Sequence, residues 1–301
     1  MQSGQDRPSR SAGESPGIAD TQPDTGMQYT ANITGAVGAG GATSLEGADD
    51  TGDMSTTVDI LGFAVANLDM RGATAAAVAL LLRGGQTRIV TANAEILYHA
   101  QRDRTLGELL HSADMIVADG IGVVKAAAML GRPLAGRVTG IELMGELVVW
   151  AEANGRSVYL LGAAEASVRG AANALQKKHP ALLIAGWHDG YFNEEELEAL
   201  LADITQQKPD FLFIGMGFPA QDRFFVQHQA RLPAGLTMGV GGTFDALSGT
   251  VKRAPAWVRR VNLEWFYRFA QNPRRLGRFG ALPGFLLAVR RQKLEEKRRR
   301  M

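Results

Sequence analysis

Asp119 is the residue best placed for acid–base chemistry. It stands in Ala118-Asp119-Gly120-Ile121-Gly122, directly after the apolar run Met115–Ala118. A carboxylate where a strand stops, beside glycines that let a ligand approach the backbone, is positioned to take a proton from a hydroxyl. Capping the next helix is the other role open to it, and for an Asp–Gly pair alone that role is the commoner one. Gly215-Met216-Gly217-Phe218-Pro219-Ala220-Gln221 follows another apolar run and leads into a helix N terminus. Such a terminus receives a phosphate or a uracil edge, and the Gln221 amide offers both a donor and an acceptor. Gly241-Gly242-Thr243-Phe244-Asp245 is again a glycine turn with a carboxylate. Asp245 either accepts from ribose hydroxyls or caps a helix. Arg137, just before Thr139-Gly140, either clamps a diphosphate bidentately or is a solvated surface cation.

Absent motifs narrow the chemistry. The chain has no cysteine, which removes disulfides, thiolate metal sites and cysteine nucleophiles. His99, His111, His179, His188 and His228 show no metal-ligand spacing. There is no phosphate-binding G-x-x-x-x-G-K-[ST] loop and no Asp-x-Asp pair. The stretch from Gly215 formally matches G-x-G-x-x-G/A, but Pro219 and the lack of an acidic residue about 20 positions on count against a nicotinamide site. No metal and no cofactor are therefore expected. If a diphosphate leaves here, arginines and helix N termini must absorb its charge.

These groups need a scaffold, and its pattern starts at Val58. Short apolar or β-branched runs alternate with Ala/Leu-rich stretches of helical period, the signature of an α/β fold: a Rossmann-like, mostly parallel sheet with flanking helices. Strands are expected at Val58–Leu61, Arg88–Ala92, Met115–Ala118, Ser157–Leu161, Leu182–Gly186, Phe211–Met216 and Thr237–Val240. Helices are expected at Asn67–Leu82, Ala94–His111, Gly122–Leu130, Gly140–Asn154, Glu165–His179, Glu194–Gln206 and Gln221–Arg231. In open α/β sheets ligands gather at the carboxyl ends of strands, where all the candidate turns lie.

The 301 residues divide by charge. Residues 1–54 hold 2 Lys/Arg against 8 Asp/Glu and almost no large apolar side chains, so they read as a disordered acidic leader. Residues 55–250, with 15 against 20, form the α/β core. Residues 251–301, with 15 against 3, form a basic, helical C-terminal appendage that points to a polyanionic partner. It also carries Trp257, Trp265, Phe266, Tyr267, Phe269, Phe279 and Phe285, and rings with cations suit a lipid headgroup interface. Pro273 and Pro283 are expected to break the appendage into short helices, with Val251–Gln271 and Arg274–Phe279 as separate pieces. No apolar run approaches the ~20 residues of a membrane span, and no secretory signal is evident.

Taken in order, the turns resemble the WecG/TagA/CpsF family of bacterial glycosyltransferases over about Val58 to Arg278. The carriers are Thr91-Ala92-Asn93-Ala94-Glu95, Ala118 to Gly122, Arg137-Val138-Thr139-Gly140, Gly190-Tyr191-Phe192, Gly215 to Asp222, Gly241 to Asp245, Arg253-Ala254-Pro255 and Leu263 to Arg268. The resemblance implies an inverting, metal-independent transfer from a UDP-sugar to a polyprenyl-diphosphate-linked acceptor, by a peripheral protein on the cytoplasmic face of the cell membrane. In the teichoic-acid type the donor sugar is N-acetylmannosamine and the acceptor undecaprenyl-diphosphate-GlcNAc. By the same resemblance Asp119 is the catalytic base, Thr91 and Asn93 lie beside the donor sugar, Arg137 serves the diphosphate, and Gln221 and Asp245 serve the nucleotide. Arg268, Arg275 and Arg278 would reach the lipid diphosphate. Asp222 stands where Glu is usual in the family and Glu142 where Asp is usual, which leaves the donor sugar open.

Two other classes fit parts of the chain. A nicotinamide-dependent oxidoreductase would share the Rossmann-like sheet, against the fingerprint defects above. A non-catalytic nucleic-acid-binding protein would use the basic, aromatic tail. The acidic core offers no basic groove to continue that tail, so no nucleic-acid partner is expected.

Overall fold

The computed structural model describes residues 56–251 and 281–300. The leader, both short helical pieces expected before residue 280 except for Val251, and Arg268, Arg275 and Arg278 lie outside the described residues. The elements run β1 (Thr57–Ile60), β2 (Phe63–Ala66), α1 (Met70–Arg83), β3 (Gln86–Ala92), α2 (Ala94–Arg102), α3 (Arg104–His111), β4 (Met115–Ala118), α4 (Ile121–Met129) and α5 (Gly140–Ala153). They continue with β5 (Ser157–Gly162), α6 (Glu165–Lys178), β6 (Leu183–His188), α7 (Glu194–Gln207), β7 (Phe211–Gly215), α8 (Ala220–His228), β8 (Gly235–Gly239), α9 (Thr243–Leu247) and α10 (Ala281–Arg299).

The described strands form one sheet in the order β1-β2-β4-β3-β8-β7-β5-β6. All neighbours are parallel except the antiparallel β1–β2 pair. Alternate residues feed different cores. Met115 and Val117 of β4 join one cluster with α1, α5, α6 and α9; Ile116 and Ala118 join another with α2, α4 and α10. In β7, Phe211 and Phe213 point to the first cluster, while Leu212 and Ile214 meet α7 and α8. Burial on both faces is why these strands read as near-continuous apolar runs.

Three expectations need correction. The region after Leu61 is a second strand, β2, rather than a direct approach to a helix. Leu61 and Gly62 (φ 57° and 90°) make a tight hairpin turn that carries none of the Asn-Gly or Asp-Gly signal of such turns. The helix expected over Ala94–His111 is split at Asp103, whose Oδ1 accepts from the N–H groups of Thr105 (2.9 Å) and Leu106 (3.2 Å). That cap offers the backbone an alternative to helix continuation. Finally, α10 runs through Pro283, the third of its described residues, where a missing N–H costs little.

The C-terminal helix also places Phe285 differently from a headgroup aromatic. Ala281, Phe285 and Val289, four residues apart, are buried, the last two in the cluster shared with α2 and α4. Gln292 then accepts from Leu61 N–H (2.9 Å) and donates to Asp59 Oδ1 (2.7 Å), and Arg132 pairs with Glu296 at 2.7 Å. The helix is thereby fastened to the β1–β2 hairpin. No helix among the described residues is long and apolar enough to cross a membrane.

Tyr159 of β5 supplies a test of the far side of the sheet. Its hydroxyl donates to Asp203 Oδ2 at 2.7 Å, and burial, reinforced by that bond, pushes its ionisation well above the ordinary tyrosine value. A raised folded-state value means that the contribution is complete below about pH 10 and fades as pH rises beyond it. Tyr159→Phe is expected to lose about 1 kcal/mol at pH 7. Urea unfolding at pH 7 and above pH 10 should show this gap between the two proteins narrowing; a gap constant with pH contradicts the assignment.

Candidate active site

The carboxyl ends of β4, β3, β8 and β7 lie side by side, although these strands are far apart in the chain. After β3 the chain passes to α2 in one core cluster, and after β8 to α9 in the other. Elements diverging to opposite faces open a crevice at the strand ends. Backbone bonds carry the ladder past the strands: Asp119 N–H donates to Ala92 O, Val138 N–H to Ala118 O and Val240 N–H to Ile214 O, each at 2.9 Å. The segment holding Arg137 is thus laid directly beside the turn holding Asp119.

Asp119 does not cap α4. The cap position is Gly120, at φ 113°, with no side-chain cap bond. The half-buried Asp119 carboxylate faces the start of α5 instead, with Oδ2 3.4 Å from Gly140 N. Arg137 is half-buried too, two residues before the Thr139 N-cap, whose hydroxyl donates to Glu142 at 2.7 Å. The Asp119 carboxylate and the segment that carries Arg137 therefore meet at the positive end of one helix.

The remaining positions separate into ligand-facing and supporting groups. Asn93 Oδ1 caps α2 by accepting from Ile96 N–H (2.9 Å). Thr91 is buried, and its hydroxyl donates to the Gly239 carbonyl at 3.2 Å. A Cβ on Gly140 would lie 3.2 Å from that hydroxyl, so Thr91 is a joint between β3, β8 and α5. Asp245 is half-buried in the first turn of α9, whose N-cap is Gly242 without a side-chain bond; Asp245 is not the cap. Gln221 is buried, with Oε1 accepting from Gly217 N–H (3.0 Å) and Gly241 N–H (3.1 Å). It ties the turn after β7 to the turn after β8. Gly217 and Gly241 adopt positive φ (75° and 53°), and added Cβ atoms would meet nothing within 4 Å, so open space lies above both turns.

Sequence reasoning assigned no site role to two groups, Arg88 and Tyr191, the second named only within Gly190-Tyr191-Phe192. Arg88 sits on central β3 and is only 2% exposed; its Nη1 bonds Asp222 Oδ1 of α8 at 2.6 Å. Burial pushes the Asp222 carboxyl up from its ordinary value, opposed by Arg88 and the Gln221 amide, and burial likewise lowers Arg88. Only a charged residue inside an otherwise apolar strand hinted at this pair. The second is Tyr191, 78% exposed on a backbone held by Asp189 Oδ1 (2.7 Å) and by Gly190 N–H donating to Ala163 O (2.9 Å). A Cβ on Gly190 would lie 3.1 Å from the Met216 side chain, so Tyr191 follows a loop packed on the end of β7. Among the described residues no group of three or more His, Asp or Glu could hold a metal ion.

Comparison with known proteins adds independent findings. The model of the glycosyl transferase WecG/TagA/CpsF family matches residues 58–299. An N-acetylglucosaminyldiphosphoundecaprenol N-acetyl-beta-D-mannosaminyltransferase of Staphylococcus aureus strain MW2 is 41% identical over 210 residues, covering 70% of this chain and 82% of that protein. The protein of the same description from strain MRSA252 is 40% identical over the same length and coverage.

Proposed function

The chain belongs to the WecG/TagA/CpsF family of glycosyltransferases, and from that premise we propose that it moves N-acetylmannosamine or a related hexose from a UDP-sugar to polyprenyl-diphosphate-linked GlcNAc, with inversion at the anomeric carbon. The observation that carries this reading is that Asp119 and the segment holding Arg137 are laid side by side at the start of α5, on the edge that also bears Asn93. In a single displacement Asp119 takes the proton of the acceptor hydroxyl. The hydroxyl oxygen bonds to the anomeric carbon while the bond to the diphosphate oxygen breaks, and the electron pair leaves with UDP. Arg137 and the N terminus of α5 hold the charge that develops on the diphosphate.

A nucleotide sugar laid across the edge from β4 to β7 crosses three strand intervals, about 14 Å. Its sugar then lies by Asp119 and Asn93, its ribose by Asp245, and its base by the glycine turn after β7. The exposed Tyr191 ring beside that turn is a stacking face for the base. The lipid-linked acceptor requires a membrane surface, and the outer side of α10 suits one. Leu287 and Leu294 are exposed there (56% and 60%), with Arg290, Arg291, Lys293, Lys297 and Arg298 also exposed. The protein is accordingly read as peripheral on the cytoplasmic membrane face.

The test is incubation of the full-length protein with a panel of UDP-sugars and a short-chain prenyl-diphosphate-GlcNAc, read by product mass. A product heavier by one N-acetylhexosamine residue, formed from UDP-N-acetylmannosamine, is expected. No product with any UDP-sugar, together with melting protection by NAD(P) rather than UDP, contradicts the reading.

A further inference from the structure

Arg88 and Asp222 lie beneath the edge rather than on it, and the reaction as written makes no use of them. Replacing such a buried pair by apolar residues of similar volume is often neutral or stabilising, so packing alone does not account for it. The Arg88 guanidinium is closely held: Nη2 donates to Ser112 Oγ (2.8 Å) and to the Leu109 carbonyl, and Phe225 of α8 lies 5.6 Å from its carbon. The Arg88 backbone N–H donates to Asp114 Oδ2 at 2.8 Å. Asp222 is the next residue after Gln221, whose oxygen receives the N–H groups of both glycine turns. Gln221 also packs so closely over Gly239 that a Cβ there would collide with its amide nitrogen. A continuous set of contacts therefore runs from the α3 end through Arg88 and Asp222 to the turns after β7 and β8.

We propose that Arg88 and Asp222 are positioning residues for the donor: they fix the first turn of α8 so that Gln221 holds the two glycine turns at the spacing a nucleoside diphosphate requires. The inference rests on reading this edge as the donor site. Gln221 then acts on the ligand through the spacing of the two turns, since the Gly217 and Gly241 N–H groups are themselves taken up by its oxygen.

The decisive variant is Arg88→Met/Asp222→Leu in the full-length protein, with UDP titration and transfer kinetics measured well below its melting temperature. Melting close to wild type is expected, with the UDP Kd and donor KM raised about tenfold or more. The acceptor KM and kcat should stay close to wild type. Unchanged UDP affinity overturns the proposal, as does a loss confined to kcat, which marks only a smaller folded fraction. Should the double variant not fold, Gln221→Met decides, since it removes the shared acceptor and leaves the charges alone. It should bind UDP about tenfold more weakly and show faster amide exchange at Gly217 and Gly241; wild-type affinity and exchange overturn the proposal. Wild-type protein that binds no UDP removes the donor-site reading itself, a failure visible before any variant is made.

Discussion

Asp119→Asn is expected to slow sugar transfer by about 10²–10⁴-fold, the usual contribution of a positioned base, while UDP still protects the protein against melting. The amide keeps the size of the carboxylate and an oxygen to face Gly140 N, so the junction of β4 with α5 has no reason to move. It cannot take the acceptor proton. The nucleotide end proposed for the site lies two to three strands away, at the turns after β8 and β7, so on that proposal the loss belongs in kcat with the donor KM little changed. Single-turnover transfer beside a UDP thermal shift separates the two quantities. Turnover within a few-fold of wild type would remove Asp119 from the chemistry, and loss of UDP protection would make its role structural.

Breaking the interior ion pair from one side should give the largest stability change. Asp222→Ala leaves the Arg88 guanidinium buried with its main partner gone. The Nε of Arg88 already lacks a hydrogen-bond partner among the described residues, and the bonds that survive, to Ser112 Oγ and the Leu109 carbonyl, are to neutral acceptors, so no hydrogen-bonded counter-charge remains. An orphaned charge of this kind typically costs about 3–5 kcal/mol. In a domain of this size each kcal/mol lowers Tm by about 2–4 °C, so Tm should fall by roughly 6–20 °C. Denaturant unfolding of Asp222→Ala beside Arg88→Met/Asp222→Leu checks the cause, because the double variant removes both charges and should recover most of the loss. A single variant as stable as wild type would mean that water or another anion reaches Arg88.

Much of the scaffold was legible in the sequence because local rules suffice for it. Apolar runs of strand length, helical periodicity and glycine turns marked seven strands that recur within a residue or two, and they put Asp119, Asn93, Arg137, Gln221 and Asp245 at strand ends or helix starts. Those signals depend on neighbours a few positions apart. They failed where a short-range signal was missing, as at the Leu61-Gly62 hairpin, or where a polar side chain competed with the helix, as at Asp103.

Tertiary structure alone decided where each candidate stands. Sheet order set β8 beside β3 and gathered four turns into one edge, because strand order follows from burying both faces, a long-range condition. It turned Thr91 and Gln221 inward as supports, left Asp119 off the cap of α4, and sank Phe285 into the core. It joined Arg88 to Asp222 across 134 positions of chain. No local pattern encodes such a contact, since a buried charge is tolerated only where folding brings its partner within hydrogen-bond reach.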